Sequence, residues 1–267
     1  MNNEAKQALQ NRNLMDYLYH ELGMSTIQIA KLYGCSHVTV RDRLIRLGIE
    51  LRPSRREVLT PDLTPSPELV HLVFALKGDG SAGIYNGEGQ IHFSSIDKVL
   101  VESVRDDLVK IGLHPKKTGP HINRGYSKNA KPIYRLRAYS KLFVQHYLSL
   151  TPQGLLELGL THPWDALRGF LETEGSVGYN GNSLYVVLIS NTDLDLTHVA
   201  RDLASKLGYE TSIVKGGITR SKNAKPYYQL NLLGTTPEKE EFLNKLNPCV
   251  KWPIKIKVKE ECALCMN

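Results

Sequence analysis

An eight-residue string occurs twice in this chain, as Ser127-Lys128-Asn129-Ala130-Lys131-Pro132-Ile133-Tyr134 and again as Ser221-Lys222-Asn223-Ala224-Lys225-Pro226-Tyr227-Tyr228. Upstream of each copy, at nearly the same offset, an apolar segment ends in an acid-Gly-Ser signature: Gly78-Asp79-Gly80-Ser81 and Thr173-Glu174-Gly175-Ser176. A repeat of this length means two copies of one supersecondary unit. A tandem duplication gives a single chain pseudo-two-fold symmetry, so one acid per half can meet its counterpart on the axis. Two facing carboxylates in a chain of net charge +7 point to metal-dependent chemistry on a polyanion.

The hydrophobic pattern gives each copy the order helix, hairpin, helix, hairpin, helix. In the first, Glu68–Gly78 is an almost wholly apolar helix, and Gly80–Tyr85 with Gln90–Ser94 reads as a hairpin. Asp97–Ile111 has helical spacing, with Val99, Leu100, Val104, Leu108 and Ile111 inside, and stops at Gly112. His121–Arg124 and Ile133–Tyr139 form the second hairpin, before a helix over Ser140–Leu150. The second copy repeats the plan: helices at Trp164–Thr173, Leu194–Leu207 and Pro237–Leu246, and strands at Ser176–Tyr179, Ser183–Ser190, Glu210–Thr219 and Tyr227–Leu233. Neither half alone can cover its first helix, so the two helices are expected to pack together at the centre.

The segments Leu72–Gly80 (Leu-Val-Phe-Ala-Leu-Lys-Gly-Asp-Gly) and Leu167–Gly175 (Leu-Arg-Gly-Phe-Leu-Glu-Thr-Glu-Gly) resemble the two motif helices of a monomeric LAGLIDADG homing endonuclease. The resemblance covers roughly Ser66 to Lys259, and rests on motif, element order and internal repeat together. It implies an α+β fold of two pseudo-symmetric αββαββα repeats with saddle-like antiparallel sheets laid across double-stranded DNA. It also implies that the last acid of each motif helix, Asp79 and Glu174, binds the catalytic Mg²⁺ or Mn²⁺. Hard cations take carboxylate oxygens of either residue, and can activate water for phosphodiester hydrolysis. Relatives place a lysine beyond each repeat's last helix. Lys251 is the counterpart in the second half, expected to polarise the scissile phosphate, whereas the matching stretch Thr151–Gly159 of the first half holds no lysine. Two further departures are Lys77, at the position of the family name's first acid, and Phe74, at a position usually small. Phe74 is expected to fill the space left by Gly169, its counterpart in the other half.

Strand residues of one parity should face the DNA. In the first half these are Arg135, Arg137 and Tyr139; in the second, Gln229, Asn231 and Leu233. Arginine suits guanine, and Gln or Asn suits adenine, so the expected target is non-palindromic, richer in G·C under the first sheet and in A·T under the second. Arg124, Lys128 and Lys131, with Arg220, Lys222 and Lys225, recur near strand turns, where cations more often clamp phosphates. Lys255, Lys257 and Lys259 alternate with apolar residues and extend that basic character.

Residues 1–51 read as a separate helix-turn-helix. Leu14, Tyr17, Leu18 and Leu22 share a face of the first helix, while Ile27, Ile29, Ala30 and Leu32 line the second. After the turn Gly34-Cys35-Ser36, the third helix ends at Gly48. Ser36, His37, Thr39, Arg41 and Arg43 are free to face a major groove, with Thr39, Arg41 and Arg43 the leading DNA contacts. Residues 52–65, with Arg52, Arg55, Arg56 and three prolines, read as a semi-extended basic linker. The remaining bounds are 66–160 and 161–259 for the two repeats and 260–267 for a tail.

Four cysteines are too few for a disulfide scaffold, and Cys262-Ala263-Leu264-Cys265 lacks the second ligand pair of a zinc site. No apolar run is long enough to cross a bilayer, and the first residues lack a signal-peptide profile, which together suggest a cytoplasmic protein with no membrane partner. Duplication removes the need for a dimer. Two other functions fit the same scaffold: a DNA-binding regulator that no longer cuts, and an intron RNA maturase.

Overall fold

The computed structural model describes residues 3–51, 60–121, 131–216 and 226–252. Arg124, Lys128, Arg220, Lys222, Lys225 and Lys255, Lys257 and Lys259 fall outside the described residues, as do Arg52, Arg55, Arg56, Cys262 and Cys265. The chain divides into two compact units, Met1–Glu57 and Val58–Asn267.

The first unit is all helical: α1 (Asn3–Ala8), α2 (Arg12–Asp16), a π-helical turn (Tyr17–Glu21), α3 (Thr26–Tyr33) and α4 (His37–Arg46). Ser25 and Gln28 form a reciprocal capping box at the start of α3. Gly34 closes that helix at φ 59°, a conformation that explains the glycine where no crowding does. Ile29, Ala30, Val40 and Leu44 pack with Leu9, Met15, Leu18, Tyr19 and Ile49. Two expected faces differ. The π turn, closed by Leu22 N–H on the Tyr17 carbonyl at 2.9 Å, inserts an extra residue and rotates the chain. Leu18 and Tyr19 therefore go inside, and Tyr17 and Leu22 stay exposed. In the short α3 the inward face is Ile29 with Ala30, and Ile27 and Leu32 lie round the helix in solvent.

The second unit contains both repeats. Its first half is α5 (Pro67–Gly78), β1 (Gly80–Tyr85), β2 (Glu88–Ser95), α6 (Lys98–Lys110), β3 (Lys116–His121), β4 (Ile133–Tyr139), α7 (Lys141–Ser149) and α8 (Pro152–Thr161). Its second half is α9 (Pro163–Glu174), β5 (Ser176–Asn180), β6 (Ser183–Asn191), α10 (Leu194–Lys206), β7 (Thr211–Lys215), β8 (Tyr228–Leu232) and α11 (Thr236–Leu246). The two antiparallel sheets have the same strand order, β1-β2-β4-β3 and β5-β6-β8-β7, as a duplicated unit requires. Helix α8 was not anticipated, although Thr151 capping Gly154 N–H with Pro152 at the first position is a helix-start signal. Strand β3 starts at Lys116, upstream of the expected His121, because pairing with β4, from Lys116 opposite Arg137 to His121 opposite Ile133, decides it; the rest of the expected strand, to Arg124, lies outside the described residues. In α6, Val101 rather than Val99 faces the core. The end of the expected linker is docked: Pro61 is buried, and Asp62 N–H donates to the Ile111 carbonyl at 2.9 Å.

At the centre α5 packs against α9, and every residue of α5 from Leu69 to Leu76 is buried. The backbones touch at Gly169, where an added Cβ would lie 2.8 Å from the His71 carbonyl and 2.9 Å from Ala75 N. The seat above Gly169 is therefore filled by the α5 backbone and the Phe74 Cβ, not by the Phe74 ring. That ring meets Phe170 edge to face at 4.9 Å and reaches over Gly159 of α8.

Candidate functional site

The two acids of the repeated signature come together where these helices end. Asp79 occupies the C-cap of α5, and Glu174 is the last residue of α9. Gly78 lies so close to Thr173 and Glu174 that an added Cβ would stand 3.0 Å from Glu174 Cγ. Both carboxyls titrate above the ordinary carboxylate range. For Glu174 the causes are burial and then repulsion by Asp79, opposed by the Lys251 ammonium and a hydrogen bond with Asn191. For Asp79 the cause is burial, again opposed by Lys251, even though its side chain reaches solvent at the lip of the site. Each acid also stands at a helix C-terminus, where the macrodipole is already negative. Nothing in helix formation favours this arrangement.

Like charges held together with oxygen donors suit a hard divalent cation. Among the described residues no group of three or more His, Cys, Asp and Glu side chains gathers to hold a metal. Asp79 and Glu174 alone would supply the carboxylate oxygens for a cation here, which suits an ion such as Mg²⁺ that keeps other oxygen ligands.

Lys251 is brought to the same place, but its expected contact differs. With φ at 70°, it turns back over the end of α9 and donates to the carbonyls of Leu171 (2.7 Å), Thr173 (3.1 Å) and Gly175 (2.7 Å). An ammonium has three donors, and all three are taken. Burial lowers its pKa, against the pull of Asp79, Glu172 and Glu174. In the first half, the equivalent carbonyl, that of Leu76, accepts instead from the Tyr147 hydroxyl at 3.3 Å. Lys77 lies over the Tyr147 ring, its Nζ 4.3 Å from the centroid.

One buried polar cluster lies behind the apolar face of α5. His71, fully buried, lies with Nδ1 2.5 Å from Asp107 Oδ2 of α6 and Nε2 2.9 Å from Glu172 Oε2 of α9. The other oxygen of Glu172 accepts the Cys249 backbone N–H at 2.6 Å. Burial alone would depress the imidazole, but the two carboxylates outweigh it and raise its pKa to about 9. Burial alone would raise the Glu172 carboxyl, yet its net shift is downward because His71 and Cys249 hold it ionised. The signal available in sequence was an acid on each inward helix face, Asp107 beside Val104, Leu108 and Ile111, and Glu172 beside Leu171.

The outward face of the first sheet is cationic. Arg135 and Arg137 are exposed while Leu136 and Ala138 are buried, as the strand parity requires. Cross-strand register sets Ser81, His92, Arg137 and Lys116 in one row, with Ser94 beside Arg135 in the next. In the second sheet the equivalent row is Ser176, Val187, Asn231 and Ser212, and the next holds Ser190, Gln229 and Val214. Gln229 and Asn231 are half-exposed there, between buried Leu230 and Leu232. Lys131 is exposed at the approach to β4. On α4, Ser36, His37 and Arg41 are exposed and Arg43 is half-buried. The Thr39 hydroxyl, half-buried as well, pairs with the Ser36 Oγ of the helix cap at 2.9 Å, which ties it to the cap.

The family model of the LAGLIDADG-like domain matches residues 165–246. Uncharacterized protein MJ0398 of Methanocaldococcus jannaschii is 30% identical over 57% of this chain, which spans about half (53%) of that relative. Uncharacterized protein MJ0314 of the same organism is 32% identical over 73% of this chain and 94% of its own length. Among solved structures, the homing endonuclease I-WcaI bound to its DNA recognition sequence superposes with a TM-score of 0.50 at 17% identity, covering 70% of this chain and 83% of that one. That likeness is one of fold. No helix among the described residues is long and apolar enough to cross a membrane.

Proposed function

The chain belongs to one family with MJ0314 and carries a LAGLIDADG-like domain over residues 165–246, and on that premise we propose that it is a homing-type endonuclease, monomeric, site-specific for double-stranded DNA and dependent on Mg²⁺ or Mn²⁺. The observation that carries this reading is the meeting of Asp79 and Glu174 at the paired ends of α5 and α9. A divalent cation bound there would supply a water of lowered pKa and positive charge against the scissile phosphate. Asp79 and Glu174 supply the anionic oxygens that hold it. Lys251 opposes the upward shift of both acids by its charge and ties down the end of α9, so its contribution would be electrostatic and at one remove from the phosphate. The rigid α5–α9 contact fixes the spacing of the acids, because Gly169 leaves no slack between the backbones.

DNA binding is assigned to the outward sheet faces. Arg135 and Arg137, on the outward face, would meet guanine edges or phosphates, and Gln229 and Asn231 would meet adenine edges. Lys131 and the cations recurring near the strand turns would grip the backbone, and Arg41 and Arg43 would extend the recognised site from α4. A second reading, binding without cutting, is favoured by one observation: the Lys251 donors are all taken by carbonyls. Selecting cleavable sites from a randomised plasmid library with Mg²⁺, against an EDTA control, separates the two. Linear product at an asymmetric site is expected only with metal. Retention of specific DNA with no cut in Mg²⁺ or Mn²⁺ would establish the regulator.

A further inference from the structure

The Asp107–His71–Glu172 chain is buried between α5, α6 and α9, and the proposed cleavage does not use it. Removing three ionisable side chains from water is costly, and well-packed apolar residues often serve stability better. The pseudo-symmetry provides an internal control. Aligning Leu72–Gly80 with Leu167–Gly175 puts Ala166 opposite His71, and aligning the C-caps Ile111 and Leu207 of α6 and α10 puts Leu203 opposite Asp107. Ala166 and Leu203 are both fully buried. The third counterpart, opposite Glu172, is Lys77, half-buried over the Tyr147 ring, so the other side closes this interface without a buried acid–histidine–acid chain, and helix packing alone does not account for that chain.

What the charged side has, and the other lacks, is its outer end. Glu172 Oε1 binds the Cys249 N–H, and two residues later Lys251 takes a left-handed backbone conformation and seats its ammonium on the last carbonyls of α9. A non-glycine residue in that conformation is unfavourable by itself and persists where its surroundings over-determine it. Leu76 of the first half needs no such support, because its partner Tyr147 is carried on a regular helix. We propose that Asp107, His71 and Glu172 are positioning residues: acting through the Cys249 amide, they fix the turn that seats Lys251 beside the two acids. The inference that this affects cleavage rests on the nuclease reading; the seating itself does not.

The test uses the full chain and three variants. Glu172→Leu removes the acceptor for Cys249, Glu172→Gln keeps an oxygen there without the charge, and Cys249→Pro removes the donor while leaving the three buried side chains as they are. Amide hydrogen exchange across Cys249–Trp252 is followed in metal-free protein, with DNA affinity in EDTA and single-turnover cleavage in Mg²⁺. Glu172→Leu and Cys249→Pro should speed exchange in that segment and slow cleavage about tenfold or more, the scale of a lost charge-assisted hydrogen bond, with affinity unchanged. Glu172→Gln should stay close to wild type in all three. If Glu172→Leu does not fold, Cys249→Pro decides. Wild-type exchange and rate in Cys249→Pro would overturn the proposal, as would a Glu172→Gln variant as impaired as Glu172→Leu. A wild-type protein that cuts no DNA would sink the nuclease reading, while the exchange measurement still decides the positioning.

Discussion

The two halves of the body share their element and strand order but finish their central helices by different means. In the first, α5 ends against the hydroxyl of Tyr147, whose ring lies under Lys77; in the second, α9 ends beneath a half-buried ammonium, with a buried chain of two acids and a histidine behind it. The sheets diverge as well, one presenting arginines and a lysine where the other presents amides and hydroxyls. Duplication thus conserves what the fold needs, a close helix pair and two sheets of one topology. The helix ends and the outward sheet faces are where the copies differ.

Breaking the apolar side of this comparison should have the largest effect. Phe74 is fully buried and its ring reaches both Phe170 and Gly159. Phe74→Ala should cost about 3–5 kcal/mol in urea unfolding, since neither neighbour can close the void. A loss below about 1 kcal/mol would show that α8 collapses inward and that Phe74 is no keystone.

The charged side should respond to pH instead. His71 is raised from 6.5 to about 9 by Asp107 and Glu172, so its stabilisation is complete below pH 6.5 and is lost as pH climbs through 9. Between those limits the unfolding free energy should fall by about 3 kcal/mol at most, an upper figure because Glu172 shares the same interaction. His71→Gln should flatten that slope. An equal slope in the variant would mean that the imidazole is not charged in the fold.

The sheets offer the mildest perturbation. Arg135→Gln with Arg137→Asn gives the first sheet the side chains of the second. If these arginines meet phosphates, each loss should lower the slope of log K against log salt by about 0.9 without changing the preferred site. If they read guanine, the slope should hold and selectivity at single positions should drop by about 1–3 kcal/mol. No change of either kind would leave that face without a role in DNA binding.

Much of this was legible from the duplication. Two copies of one pattern determined the central helix pair, the two sheets and the meeting of Asp79 with Glu174, because each depends on periodicity or on symmetry. What escaped depends on contacts between distant residues. His71 finds its partners 36 and 101 positions away, and no spacing in α5 announces them. The position of Lys251 was anticipated but its partners were not, since backbone carbonyls leave no trace in side-chain pattern. The π turn at Tyr17–Glu21 likewise shifted a helical face that simple periodicity placed otherwise.

The central claim is that one acid from each half holds the catalytic cation. Single-turnover cleavage of a selected target by Asp79→Asn with Glu174→Gln, beside DNA affinity in EDTA, tests it most directly. Both substitutions keep the shape of the site and remove its charge. The account predicts undamaged DNA in Mg²⁺ and Mn²⁺ with affinity equal to or above wild type; cutting at an undiminished rate would contradict it.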